Sequence, residues 1–87
     1  MTTPSLLEFP CDFPIKILGK AQPGYAQAIL SIVQRHIPSF DGAQMQMRPS
    51  AQGKYLSLTC TLRATSQEEL DQLYRELSSH PMVSMVL

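Results

Sequence analysis

A chain of 87 residues with 44% apolar content, 16% charge and no net charge has the makings of one small folded domain. That length excludes a second domain, and so large an apolar share excludes an intrinsically disordered chain. No apolar run approaches the ~20 residues of a bilayer span, and the start, MTTPSLLEFP, has no basic region ahead of an apolar stretch, so the expected location is the cytoplasm.

Residues 1–12 are read as an N-terminal extension and residues 13–87 as the domain. In the extension, Ser5 and Glu8 have capping spacing, and Leu6, Leu7 and Phe9 form a small apolar cluster able to pack as a lid. Phe13, Ile15 and Ile17 alternate with Pro14, Lys16 and Leu18, a first strand ending at Gly19. Pro23 is expected at the first position of a helix, where its missing N–H costs nothing. Ala26, Ile29, Leu30, Val33 and Ile37 then recur at spacings of three and four as one buried stripe, and Pro38 ends the helix.

Met45 and Met47 alternate with Gln44, Gln46 and Arg48 in a short second strand, which Pro49 to Gly53 turn back. The third strand carries the clearest pattern in the chain. Leu56, Leu58, Cys60, Leu62 and Ala64 alternate with Tyr55, Ser57, Thr59, Thr61 and Arg63, as a strand with one buried face requires. Pairing Gln46 with Ser57, Met45 with Leu58 and Met47 with Leu56 puts the apolar residues of both strands on one side. Ser66 and Glu69 form a capping box for a second helix, in which Glu69 returns a bond to the cap's backbone N–H and Leu70, Leu73, Tyr74 and Leu77 form the buried stripe. Pro81 ends that helix, and Met82 to Leu87 make a last strand.

The order strand, helix, strand, strand, helix, strand predicts an α+β, ferredoxin-like βαββαβ domain. Its four-stranded antiparallel sheet has spatial order 4-1-3-2, with both helices on one face. The other face is left open, with Lys16, Gln46, Arg48, Tyr55, Thr59, Thr61 and Arg63 upon it. Six of the seven Lys and Arg residues fall within residues 13–65 beside a single acid, Asp41, while four of the seven acids fall in 66–87. The simplest reading is a solvated acidic last helix; the sharper one is a weakly basic sheet face that attracts small anions.

Catalytic and metal chemistry find no pattern to rest on. Cys11, His36, Cys60 and His80 lack metal-ligand spacing, and neither a Gly-x-Ser-x-Gly run nor a Cys/His signature is present. No enzyme activity, metal or cofactor is expected, and Cys60 reads as a core residue without a disulfide. Sheets of this topology bind RNA by stacking bases on aromatics of the open face, but here that face has one aromatic near its rim and no RNP-type run. RNA binding is the weaker alternative.

Several short runs carry a family resemblance: LLEFP at Leu6 to Pro10, VQRH at Val33 to His36 with Pro38 following, PSAQGKY at Pro49 to Tyr55, LYREL at Leu73 to Leu77, and the terminal MVL at Met85 to Leu87. From about Leu6 to Leu87 the chain resembles the YbeD-like family of small bacterial proteins. The resemblance implies a ferredoxin-like fold similar to the ACT regulatory domains, a gene context that includes lipoate biosynthesis, and no catalytic residues. Gln22, Gly24 and Tyr25, around Pro23, resemble the ACT turn that contributes to amino-acid binding, although Gln22 stands where an acidic or Asn residue is usual. The resulting expectation is a non-catalytic regulatory or adaptor module that binds a small ligand or a protein partner. Self-association is also expected, because the last strand, uncharged and without an internal proline, forms a sheet edge, and such edges are usually protected by Lys, Pro or bulges.

Overall fold

A computed structural model describes residues 10–87, so the expected cap and lid in residues 1–9 lie outside the described residues. Seven elements follow in order: β1 (Cys11–Lys20), α1 (Tyr25–His36), a 3-10 turn (Gly42–Gln44), β2 (Gln46–Pro49), β3 (Tyr55–Ala64), α2 (Gln67–Ser79) and β4 (Val83–Val86). The sheet order is β2-β3-β1-β4 and every pairing is antiparallel, which is the expected ferredoxin-like arrangement.

β1 and β3 pair over ten residues, from Cys11 opposite Ala64 to Lys20 opposite Tyr55. Cys11 and Asp12, read from the sequence as part of the extension, therefore belong to this ladder. Side chains alternate across the sheet, so Ile15, Ile17, Leu58, Cys60, Leu62 and Ala64 are buried on one side. Ile29, Ile32, Val33 and Ile37 from the first helical segment and Leu73 and Leu77 from α2 complete the core. Burial pushes the Cys60 thiol up to about 11, and both Cys11 and Cys60 are free.

α1 starts at Tyr25, two residues later than expected, because Pro23 and Gly24 form a turn before it. The Tyr25 N–H donates to the Gln22 carbonyl at 3.2 Å, and Gly24 has φ 85° and ψ −8°. Those angles, with proline ahead of the glycine, define a type II turn. Tyr25 consequently points into the core. It is fully buried, and its hydroxyl donates to the Ile17 carbonyl at 3.1 Å. Burial, and secondarily the neighbouring Cys60, push its phenol up to about 12.

The β2–β3 hairpin is displaced by two residues from the expected register: Gln46 faces Thr59, Met47 faces Leu58 and Pro49 faces Leu56. A shift of two preserves which face each side chain occupies, so the open face keeps its residues. The turn chemistry sets the register. Ser50 N–H donates to the Tyr55 carbonyl, Tyr55 N–H donates to the Ser50 hydroxyl, and Gly53 takes φ 72°. Met47 shares the helix side with Leu58 but is 58% exposed, because β2 is an edge strand beyond the packed core.

In α2 the Ser66 hydroxyl accepts from the Glu69 N–H at 3.1 Å, as the capping box requires. The return bond differs by one residue: the Glu69 carboxylate accepts from the N–H and hydroxyl of Thr65 rather than from the Ser66 N–H, because Thr65 offers two donors at once. Tyr74 is not part of the buried stripe. It is 43% exposed, and its hydroxyl donates to the Val86 carbonyl at 2.6 Å.

Glu76 ties the two helices together, accepting from Arg35 at 2.5 Å and from His36 Nε2 at 2.6 Å. The His36 hydrogen bond, aided by the charge on Arg35, holds its carboxyl below the usual 4.5. A depressed carboxyl contributes stability above its unfolded pKa and loses that contribution as pH falls through its folded pKa. Glu76→Gln should therefore be less stable than the parent at neutral pH, by about 1 kcal/mol or less for ion pairs still open to solvent. The gap should close below pH 4.5, a convergence that urea denaturation across a pH series would reveal.

Candidate functional site

With both helices on one side, the other side of the sheet presents its residues in cross-strand rows. Lys16 faces Thr59, which faces Gln46; two residues along, Leu18 faces Ser57, which faces Arg48. β4 extends the second row through Met85 opposite Leu18. Leu87 stands beside Lys16, and their backbones exchange two hydrogen bonds. The rows thus run from apolar residues at β4 to cationic and amide residues at β2. Met85 and Leu87 are 51% and 64% exposed.

Lys16, Gln46, Arg48, Ser57 and Thr59, with Met47 at the β2 edge, line an open cleft of about 480 Å³ on this face. Lys16 and Arg48 stand at its two sides, and neither forms an ion pair among the described residues. Arg63 is placed differently. At the far end of the face it donates to Asp12 at 3.4 Å, so its charge is partly offset. Arg63 and Thr61 line a second cleft of about 450 Å³ with Asp12 and Gln46. The face therefore divides into a compensated end and an uncompensated middle.

The turn at Gln22 contributes to a third cleft, about 350 Å³, with Lys20, Ala21, Lys54 and Tyr55. Gln22 and Gly24 are exposed, but Tyr25 does not join them at the surface, because its ring fills the core. The aromatic beside Gln22 is Tyr55, brought there by the β1–β3 ladder across sequence. Sequence reasoning placed Tyr55 on the open face without linking it to this turn; the link depends on Lys20 facing Tyr55. Among the described residues no three His, Cys, Asp or Glu side chains converge on a metal position. The Cys60 thiol, buried and pushed toward its protonated form, is a poor nucleophile.

At the β4 edge, Lys16 and Leu87 exchange both backbone bonds, so alternation directs the polar groups of Val86 outward. The Val86 carbonyl is the one that Tyr74 occupies. α2 thereby caps part of an edge that the sequence left bare.

The family described as "Protein of unknown function (DUF493)" matches residues 4–87. The chain belongs to the DUF493 family. This DUF493 chain is 56% identical to a UPF0250 protein of Nitrosomonas europaea, over the full length of both. It is 57% identical to a UPF0250 protein of Bordetella pertussis, covering 95% of this chain and 91% of the relative. Among solved structures, a protein from H. pylori superposes with a TM-score of 0.76 at 13% identity, covering 100% of this chain and 94% of the other. The ACT domain from the GTP pyrophosphokinase of Chlorobium tepidum superposes with a TM-score of 0.66 at 15% identity, covering 87% and 84%. At such identities these structures establish a shared fold, and the family resemblance expected from the short motifs holds. No helix among the described residues is long and apolar enough to cross a membrane.

Proposed function

We propose that this DUF493 chain is a non-catalytic regulatory or adaptor module, acting in the cytoplasm, whose open sheet face binds a small ligand or a protein partner. The observation that carries this reading is the asymmetry of the fold. One face of the sheet is closed by both helices, while the other bears exposed Lys16 and Arg48, unpaired among the described residues, over hydroxyl and amide groups. The fold shared with an ACT domain supports the same reading. RNA binding has less support, since Tyr55 is the one aromatic on this face among the described residues.

The test is purification of the tagged full chain from its own host, in parallel with Arg48→Glu. A defined partner or ligand retained by the parent and lost from the variant is the expected result, and proteins of lipoate metabolism are among those to look for. Turnover of a substrate by the purified chain, abolished by one substitution, would overturn the reading. Light scattering of the same eluate would show whether the chain also pairs with itself along β4, a second contact that we include in the proposal.

A further inference from the structure

We propose that Lys16 and Arg48, with Ser57 and Thr59 between them and Gln46 two residues from Arg48 on β2, form a binding site for a small phosphate ester. The inference rests on the reading of the open face as the working surface and names the ligand chemistry that its middle accepts. Three strands contribute: Lys16 from β1, Ser57 and Thr59 from β3, Gln46 and Arg48 from β2. Two strand spacings, about 10 Å, separate the strands that carry the two cations. Long side chains rising on either side of Ser57 and Thr59 can close over a group seated on those two hydroxyls.

The donor set selects the ligand. A guanidinium fork, an ammonium, two hydroxyls and an amide offer far more N–H and O–H groups than the two oxygens of one carboxylate can accept. A phosphate monoester, with two negative charges near neutral pH and three terminal oxygens, can engage both cations and still accept from Ser57, Thr59 or Gln46. Among the described residues no carboxylate side chain lines this cleft, and Asp12, farther along the same face, is engaged by Arg63. The cleft, about 480 Å³, has room for a small ester. This site is separate from the cleft beside Gln22, whose lining shares no residue with it.

The full chain, labelled with ¹⁵N and titrated with glucose 6-phosphate, should show saturable amide shifts centred on residues 16, 48, 57 and 59. Glucose alone should not produce them. Arg48→Gln and Lys16→Gln should each weaken binding by about tenfold or more, as loss of a charge-assisted hydrogen bond does. Lys54→Gln, in the other cleft, should change it by less than about twofold. The substituted side chains are exposed, so undisturbed spectral dispersion provides the folding control. Absence of saturation by about 10 mM, or equal losses at Lys16, Arg48 and Lys54, would overturn the phosphate site. A host partner still lost from the Arg48 variant under those results would leave the module reading standing while the phosphate site falls.

Discussion

Leu58→Ala should lower the unfolding free energy by about 2–5 kcal/mol, the cost of emptying a fully enclosed leucine position. Leu58 is 0% exposed, lies between Ile17 on β1 and Met47 on β2, and belongs to the core cluster with Leu73 and Leu77 of α2. Thr59→Ala, one residue on, should cost well under half as much, because its side chain points to the open face. Urea denaturation of the two variants side by side measures the difference directly. Equal losses would mean that burial in β3 does not follow the alternation.

Gly19→Ala should cost about 3 kcal/mol, the upper end of what overpacking costs in a closed site. A Cβ at Gly19 would lie 2.3 Å from the Met82 carbonyl oxygen and 2.7 Å from Cζ of Tyr25. Neither neighbour yields easily: the first is backbone leading into β4, and the second is a buried ring anchored by its hydrogen bond to Ile17. Gly24→Ala offers the contrast. Gly24 has φ 85° with open space around its Cβ position, so its cost is confined to backbone conformation, about 1–2 kcal/mol. Thermal or urea unfolding that finds Gly19→Ala no costlier than Gly24→Ala would show that Tyr25 and β4 can move aside. The expected ordering would identify Gly19 as the position where the first strand, the first helix and the last strand meet.

A register shift beside Gly19 gives β4 a feature that alternation does not anticipate. Val83 and Val86, three residues apart, both pack against the core, because the β1–β4 register shifts between Leu18 and Gly19. In a regular strand, residues three apart point to opposite faces. The irregularity leaves Met85 and Leu87 on the open face and makes the β4 end of that face apolar. An observer of the sequence sees an uncharged terminal strand; the bulge decides which of its side chains remain outside.

The patterns that were legible in the sequence are local ones. The two-residue period of β3, the three-and-four spacing of the helices, the Ser66 cap and the order of elements are each set by a residue and its near neighbours, and together they determine the fold class and which face of the sheet is open. The decisions left to the tertiary structure depend on groups distant in sequence. Tyr25 is buried because Gly19 leaves room for its ring and Ile17 supplies an acceptor. Tyr74 remains at the surface because the Val86 carbonyl stands within reach, and Met47 is exposed because β2 lies at the sheet edge. Lys16 and Arg48 became one candidate site only when the turn closed by Ser50 and Tyr55 set the register between β2 and β3. Residue types and their periods determined which side chains face outward; strand register and the space around Gly19 determined which of them meet.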